Sequence, residues 1–378
     1  MTLTVLQVLP ALDAGGVERG TVEVARELCR RGHRALVVSA GGRMVPELEA
    51  TGARHIAWAI GKKSPLTLNY VRPLRQLLLS EKVDILHARS RLPAWIAHMA
   101  WRKLEPERRP RFLTTVHGPY RPNRYSAIMT RGERVIAISN WILEYLREHY
   151  PEVDPSRVRV IPRGVDPLQY PHGYRPSAAW LESWRLAVPQ AQDRFVITIA
   201  ARLTRRKGHE DFLGVVNLLK QRGLPVHGLI VGGAEPGKRK YRDELRSLIA
   251  KLRLGADVTL LGHRTDLREI IAVSDALVSL VREPEAFGRT TIEALSLGVP
   301  VVGYDLGGTA EILRSVFPEG LVTAGNIDAA AARLAQLMDS PLRPPPQHPY
   351  TLQRMLDAEL AVYEELAART TGAAAADG

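Results

Sequence analysis

The stretch ALVSLVREPEAFGRTTIEALSLG, residues 276–298, reads as a strand, a loop and a helix in direct succession. The apolar run at its start predicts a buried strand, and Gly288 permits a sharp turn before the helix. Glu285 lies in the loop and Glu293 lies further along the helix, with seven residues between them. In a parallel α/β sheet, ligands bind at the carboxyl ends of the strands, so this loop is a candidate binding site.

The same alternation of strand and helix extends over most of the chain. Its short apolar runs lack polar alternation, which is typical of parallel strands covered by helices on both faces. The fold class is therefore α/β, with two doubly wound Rossmann-like domains, and the default active site is the cleft that they face. The predicted strands are 3–10, 34–40, 54–57, 83–88, 111–117, 134–139, 157–162, 193–201, 227–233, 257–262, 276–280, 299–304 and 319–324. The predicted helices are 17–32, 66–80, 92–104, 139–149, 208–222, 237–253, 265–273, 289–297 and 350–368.

The region from 163 to 193 interrupts this alternation, because it is rich in proline and shows little periodicity. We interpret it as the connection between two domains. The predicted divisions are an N-terminal domain over 1–170, a C-terminal domain over 171–345, a closing helix over 346–368 and a disordered tail over 369–378.

Composition limits the class of protein. The length of 378 residues suits two domains, and the single cysteine, Cys29, rules out a disulfide within the chain. We expect Cys29 to be a small buried hydrophobe and the compartment to be reducing. The N-terminus lacks the charged region of a signal peptide, and no apolar run approaches the roughly 18 to 20 residues of a membrane span. We therefore expect a cytoplasmic protein, at most peripheral at the inner face of the inner membrane.

The excess of positive charge lies in the first half of the chain. The net charge is +12, and residues 1–175 contain 28 Lys and Arg against 16 Asp and Glu, whereas residues 176–378 contain 24 of each. A one-sided basic field attracts an anionic partner, although scattered arginines can also form a solvated face. No recognisable nucleic-acid module accompanies the charge, so we predict no nucleic-acid partner.

Several loops that follow predicted strands contain residues suited to phosphates or sugars. Gly15 and Gly16 precede a helix and permit close backbone approach, although they do not form a dinucleotide fingerprint and could serve only as a turn. His117 ends a strand, where it could donate to a substrate hydroxyl or be structural. Arg202 and Lys207 lie in one loop ahead of a helix, and two converging cations suit a diphosphate.

The opening stretch completes this set. Arg289 and Thr290 occupy the first helical turn, whose free N–H groups favour phosphate. Glu293 could accept hydrogen bonds from a ribose diol, and Glu285 from sugar hydroxyls. The same two carboxylates could instead act as the acid and the base of a glycosidase, although that enzyme would need no phosphate site.

The form EPEAFGRTTIEALSLGVPVV resembles the signature of the retaining family 4 glycosyltransferases of the GT-B fold. Other landmarks follow in the order typical of that family, over residues 1 to about 330: GGVER, the strand-end His117, AISNW, VIPRGVD, AARLTRRKG, LIVGG, LLGHRTDL and DLGGTAEIL. Within the family the chain looks most similar to bacterial lipopolysaccharide-core and cell-surface glycan transferases.

The resemblance implies a role for each of these positions. The donor would be a nucleotide-diphosphate sugar, with UDP-sugars favoured. The implied donor-binding residues are Gly15, Gly16, Arg202, Lys207, Arg264, Glu285, Phe287, Gly288, Arg289, Thr290 and Glu293. The implied catalytic residues are His117, Glu285, Arg202 and Lys207. A sugar-nucleotide epimerase of the same fold, or an inactive membrane-docked relative, remains open as an alternative.

The acceptor would bind the N-terminal domain, whose charge suggests an anionic glycan or lipid-linked acceptor. The acceptor candidates are Tyr120, Arg121 and Arg124. For docking on an anionic membrane surface, Arg108 and Arg109 would add charge, and Trp95 and Trp101 are candidate interfacial anchors, unless they are buried in packing. No cofactor and no metal ion are expected.

Overall fold

The computed structural model describes residues 2–13, 15–234 and 240–374. The chain divides into two compact units. Unit 1 comprises Met1–Pro162 and Gln353–Gly378, and unit 2 comprises Arg163–Leu352. The last segment of the chain therefore belongs with the first 162 residues rather than with the unit that precedes it.

Unit 1 is built on a seven-stranded sheet among the described residues, in the order β3-β2-β1-β4-β5-β6-β7, and every pairing is parallel. All five residues of the interior strand β1 are buried, which agrees with the predominance of apolar side chains in it. The strands are β1 Thr4–Val8, β2 Arg34–Ser39, β3 Arg54–Ala57, β4 Ile85–Ala88, β5 Arg111–Val116, β6 Arg134–Ala137 and β7 Val158–Val160.

Unit 2 repeats this architecture on a six-stranded parallel sheet over its described residues, in the order β10-β9-β8-β11-β12-β13. In both units the strand order reverses beside the first strand, and such a switch point is where open α/β sheets bind ligands. The strands are β8 Phe195–Ala200, β9 Val226–Val231, β10 Val258–Gly262, β11 Ala276–Ser279, β12 Val301–Tyr304 and β13 Leu321–Val322.

Helices connect the strands in both units, as parallel pairing requires. Together with the two parallel sheets, they confirm the predicted doubly wound α/β fold. The helices are α1 Gly16–Arg30, α2 Val45–Glu49, α3 Val71–Ser80, α4 Arg91–Arg102, α5 Asn140–His149, α6 Ala178–Ala187, α7 His209–Gln221, α8 Lys240–Lys251, α9 Leu267–Ala272, α10 Arg289–Ser296, α11 Gly307–Val316, α12 Ile327–Asp339 and α13 Leu352–Ala374.

The structure differs from the sequence prediction at several helices. Helices α2, α11 and α12 were not predicted, and neither was α6, which lies in the stretch interpreted as irregular. No residue of α6 is buried, and the prolines on either side of it, Pro176 and Pro189, favoured an irregular interpretation. Residues 237–239, the predicted start of α8, lie outside the described residues.

The boundaries also differ. The first unit ends at Pro162 rather than at residue 170, because Val165 pairs with Thr351: its N–H donates to the Tyr350 carbonyl, and its own carbonyl accepts from Leu352 N. Helix α13 continues to Ala374, beyond the predicted end at residue 368. The last residues of the predicted tail, 375–378, lie outside the described residues.

Helix α13 also changes the charge balance that the linear sequence suggests. Unit 1 contains 28 Lys and Arg against 20 Asp and Glu, a net charge of +8, because residues 353–378 add more acids than bases. Asp357 of α13 pairs with Arg31, and Glu365 pairs with Arg134. Part of the basic excess of the first half is therefore used to hold α13. No helix among the described residues is long and apolar enough to cross a membrane.

Candidate functional site

A lysine and a glutamate that are far apart in sequence meet beyond two neighbouring strands of unit 2. Lys207 follows β8 and Glu285 follows β11, and these strands are paired in the sheet. Lys207 Nζ donates a hydrogen bond to Glu285 Oε1. Both side chains are largely shielded from solvent, at 22 % and 13 % exposure. Two residues predicted for the donor site are thus brought into direct contact.

The close approach of the two loops requires a glycine at position 208. Gly208 has φ of +74°, in the left-handed region, and a Cβ there would lie 1.7 Å from the carbonyl oxygen of Leu280 at the end of β11. Next to it, Arg282 N donates to the Arg206 carbonyl at 2.9 Å. The loop that carries Lys207 is therefore fastened to the loop that carries Glu285 through backbone contacts.

The surroundings of Lys207 shift its titration. Burial, together with the nearby guanidinium groups of Arg206 and Arg202, lowers the pKa of Lys207 to about 8. The Glu285 carboxylate acts in the opposite direction, because it stabilises the ammonium ion. A bound diphosphate would do the same. An anionic ligand would therefore reduce the electrostatic repulsion within this cluster of cations.

The start of helix α11 supports the loop around Glu285. Gly308 N donates to the Glu285 carbonyl at 2.7 Å. A Cβ on Gly307, whose φ is +62°, would lie 2.7 Å from the backbone nitrogen of Glu285, and one on Gly308 would lie 2.5 Å from Cα of Phe287. The two glycines let a helix end pack directly against the loop backbone.

Replacing Gly308 by alanine is expected to displace this loop and to weaken nucleotide binding about 10- to 100-fold, because small misplacements of binding groups are costly. Gly308 does not have positive φ, so the effect would come from space rather than from backbone strain. Isothermal titration with UDP measures the change. Gly255→Ala is the matched control, since a Cβ there meets nothing within 4 Å. Equal UDP affinity in both variants and the wild type would contradict a role for this close packing.

Helix α10 begins immediately after this loop. Gly288 caps it with φ of +100°, and a Cβ there would lie 2.8 Å from Thr309 Oγ1. The amides of the first turn, including those of Arg289 and Thr290, have no partner in the helix ladder and carry the positive end of its dipole. Glu293, only 7 % exposed, lies 3.5 Å from Arg289 Nε. The predicted helix start is thus present at Gly288, and its role in binding an anion stays a prediction.

The remaining predicted donor residues of unit 2 occupy different surroundings. Arg202 is exposed after β8, near enough to affect the pKa of Lys207. Arg264 follows β10 and makes a two-pronged contact with Asp266 at 2.8 and 2.6 Å, so its guanidinium group is held beside that carboxylate. Phe287 is buried and packs edge-to-face against Tyr350 at 5.7 Å.

In unit 1 the predicted residues also follow strand ends. Gly15 has φ of +147° and caps α1, whose first residue is Gly16. His117 follows β5 and is half-buried. Arg121 and Arg124 are exposed.

Tyr120 is held more firmly than its two neighbouring arginines. Its backbone N donates to the Gly118 carbonyl at 2.9 Å, and the guanidinium group of Arg91 lies 4.7 Å from its ring centroid. Burial raises the pKa of Tyr120, so its hydroxyl stays protonated at neutral pH.

Both halves of the chain match families of known proteins. Residues 14–168 match the family described as Glycosyltransferase Family 4, and residues 182–350 match the one described as Glycosyl transferases group 1. The chain belongs to the family 4 glycosyltransferases. The fold of this family 4 member is GT-B, as the sequence resemblance implied.

Individual relatives agree with this assignment. The D-inositol 3-phosphate glycosyltransferase of Rhodococcus erythropolis is 29 % identical over 220 residues, which are 57 % of this chain and 48 % of that protein. The chain thus spans about half the length of that relative. A glycosyltransferase structure from Rickettsia africae superposes with a TM-score of 0.81 at 29 % identity, covering 97 % of this chain and 98 % of that one. Anabaena HepE in complex with UDP and glucose shares the fold, with a TM-score of 0.75 and 21 % identity over 99 % of both chains.

Sequence reasoning about this glycosyltransferase missed the glycines that position the loops. The DLGGTAEIL landmark contains Gly307 and Gly308, and AARLTRRKG ends in Gly208, which packs tightly against the Leu280 carbonyl. A pair of glycines between a strand and a helix was the available signal, but the backbone that they would touch belongs to a distant segment.

Within the described ranges, no group of three or more His, Cys, Asp or Glu side chains could hold a metal ion. Independence from metal ions and cofactors stays a prediction.

Proposed function

We propose that this family 4 glycosyltransferase moves a sugar from a nucleotide-diphosphate sugar, with UDP-sugars favoured, to a hydroxyl of a glycan or glycolipid acceptor, with retention at the anomeric carbon. The observation that carries the proposal is the contact of the shielded Lys207 ammonium group with Glu285, just ahead of the open helix start at Gly288. A diphosphate needs such cations and amides, whereas sugar hydroxyls need a carboxylate.

The donor would separate Lys207 from Glu285, because its diphosphate and its sugar would each bind one of the two side chains. The diphosphate would take Lys207, Arg202 and the first amides of α10. Glu285, released from Lys207, would accept from hydroxyls of the donor sugar, and Glu293 would accept from the ribose diol. Glu285 thus keeps the lysine in place until the donor arrives, because an unpaired shielded charge is costly.

The proposed reaction proceeds on one face of the sugar. The bond between the anomeric carbon and the diphosphate oxygen breaks, and the acceptor oxygen bonds to the same carbon from the same side. The acceptor's hydroxyl proton passes to the departing phosphate oxygen, so no protein nucleophile is required. Lys207, Arg202 and the α10 amides stabilise the charge that develops on the leaving diphosphate. His117 would contact the donor sugar near the reacting centre.

The acceptor is proposed to bind unit 1, through Tyr120, Arg121 and Arg124. The net charge of +8 on this unit suits an anionic or lipid-linked acceptor. The proposed setting is lipopolysaccharide or cell-surface polysaccharide synthesis, in the cytoplasm at the inner face of the membrane. The complexes of Anabaena HepE with UDP support a UDP-sugar as the donor.

The first test is binding of UDP, GDP and ADP and of their sugars, followed by thermal unfolding. A ligand at about 100 times its Kd adds roughly 2.7 kcal/mol to the free energy of unfolding, so a clear rise in Tm is expected for UDP and one UDP-sugar. No rise with any nucleotide would contradict the proposed donor class.

The same preparation tests the chemistry without a known acceptor. Slow hydrolysis of the bound UDP-sugar, with water as acceptor, is expected to release a sugar whose first-formed anomer has the donor's configuration, as NMR can show. Release of the opposite anomer would contradict retention. Conversion to a different UDP-sugar without release would identify an epimerase instead.

A further inference from the structure

Two leucines of unit 1 project into solvent from one short 3-10 helical turn. Leu66 is 72 % exposed and Leu68 is 53 % exposed, and both lie in the turn Pro65–Tyr70. Large apolar side chains at adjacent surface positions are costly in water unless they meet a partner. The donor site described above makes no use of this turn.

Contacts within unit 1 fix the position of this turn, so the two exposed leucines lie at fixed positions on the surface. Thr67, between them, is buried and donates from Oγ1 to the Lys62 carbonyl at 2.5 Å. Tyr70 stacks on Trp58 with ring centroids 5.7 Å apart, and its hydroxyl oxygen accepts from Ala59 N at 3.3 Å. Because Thr67 faces the protein, the residues on either side of it face outward.

Cations lie on both sides of the two leucines in the sequence, and three of them line a cavity beside Leu68. The segment from residue 50 to residue 80 contains no Asp or Glu. Lys62 and Lys63 precede the turn, and a cavity of about 570 Å³ beside Leu68 is lined by Arg72, Arg75 and Lys103. These five cations have no carboxylate partner among the residues that the structure describes. We call Leu66, Leu68 and these five cations the leucine patch.

Other surface residues that the sequence suggested for membrane contact are used within the protein. Trp101 Nε1 donates to the Pro110 carbonyl at 2.7 Å, and its ring stacks on His98 at 5.8 Å. Trp95 Nε1 donates to the Tyr125 carbonyl at 2.9 Å. Arg109 donates to the Leu104 carbonyl at 2.9 Å and lies over Trp101. The leucine patch has no comparable internal use.

We propose that the leucine patch docks unit 1 on an anionic lipid bilayer, with Leu66 and Leu68 inserted between headgroups and the surrounding cations on the acidic lipids. Apolar side chains with cations beside them suit such an interface, because burial of the leucines and attraction of the cations to acidic lipids both favour binding. A protein surface of matching shape would need its own acidic rim. The proposal extends the proposed function, since a lipid-linked acceptor lies at that surface.

The test is flotation of the purified full chain with vesicles, without donor or acceptor. We expect binding to vesicles of phosphatidylcholine with about one third phosphatidylglycerol, and loss of binding on pure phosphatidylcholine or in about 0.5 M NaCl, where the Debye length falls to a few ångströms. The double variant Leu66→Ser and Leu68→Ser is expected to partition about tenfold less, and Lys62→Gln with Lys63→Gln about tenfold less as well.

The matched control is Leu168→Ser with Leu186→Ser, which removes two leucines of unit 2 that are 87 % and 81 % exposed. This control is expected to float like the wild type. A wild type that does not float, or a Leu66 and Leu68 variant that floats equally well, would overturn the proposal. Concentration-dependent self-association abolished by the same two substitutions, without flotation, would overturn it in favour of a protein partner.

A second readout separates this proposal from the proposed function. UDP binding by the Leu66 and Leu68 variant is expected to equal that of the wild type, because the patch lies in unit 1 and Lys207 lies in unit 2. Loss of flotation with normal UDP binding supports the lipid surface whatever the enzyme transfers. Loss of both flotation and UDP binding would indicate misfolding. The flotation of Leu66→Gln with Leu68→Gln, a milder change in size, would then test the proposal, and flotation equal to that of the wild type would overturn it.

Discussion

Replacing Lys207 by glutamine is expected to lower kcat/KM for the UDP-sugar about 30- to 900-fold, which corresponds to about 2–4 kcal/mol of lost transition-state stabilisation. The loss should be largest in kcat, because charge on the diphosphate grows as the glycosidic bond breaks. Glutamine removes the charge but can still donate to Glu285, so the loop should stay in place. Donor hydrolysis or transfer kinetics, measured at saturating and limiting donor, provide the test.

The neighbouring arginine is the matched control for this change. Arg206 lies in the same loop, is 47 % exposed and lies 3.9 Å from the carboxylate of Glu283. Arg206→Gln removes one positive charge from the loop without removing the cation that touches Glu285, and is expected to change kcat/KM less than about threefold, as for a weak surface ion pair. A Lys207→Gln enzyme with near-normal turnover and an unchanged Tm would contradict the assigned role of the ammonium group.

Replacing Arg89 by methionine is expected to destabilise unit 1 by about 3–5 kcal/mol, because the change leaves a buried carboxylate without its cation. Arg89 is fully buried after β4 and pairs with Glu359 of α13, which is 1 % exposed. Arg89 Nε also donates to Gln7 at 2.6 Å, and Tyr363 donates to Glu359 at 3.0 Å. Hydrogen exchange of residues 352–368 should report release of α13, since global unfolding of a two-unit chain is not two-state.

Two further variants test whether the unpaired buried charge causes the loss of stability in Arg89→Met. Arg89→Met combined with Glu359→Leu is expected to recover most of the lost stability, because no buried charge then remains. Arg26→Met tests an exposed pair, since Arg26 and Glu47 are 52 % and 53 % exposed and 2.8 Å apart, and should cost less than about 1 kcal/mol. Wild-type exchange of α13 in the Arg89→Met variant would show that the pair does not hold the helix.

Much of the fold could be predicted from the sequence because most of its strands are buried on both faces. Runs such as TVLQV of β1 are mainly apolar and lack strict polar alternation, and that pattern can be recognised without any knowledge of their neighbours. Helix α6 was missed although Trp180, Leu181 and Trp184 lie at helical spacing, because Pro176 and Pro189 on either side of it indicated a loop. Helix α12 was missed although Ala330 and Leu334 are buried, because its alanine-rich stretch was not recognised as periodic.

The candidate site divides in the same way. The sequence alone determined which residue types follow the strands: two cations at Arg202 and Lys207, and two carboxylates with a glycine between them at Glu285 and Glu293. Local spacing suffices for this, since loops after parallel strands collect at one edge of a sheet.

Only the tertiary structure decided which of these groups touch. Lys207 and Glu285 are 78 residues apart, and their contact depends on the close approach of Gly208 to Leu280, which leaves no room for a Cβ at position 208. Arg89 and Glu359 both belong to unit 1, but they are 270 residues apart because the whole of unit 2 lies between them in the sequence. Such contacts arise from the packing of surfaces that are distant in sequence, so no local pattern of residues could specify them.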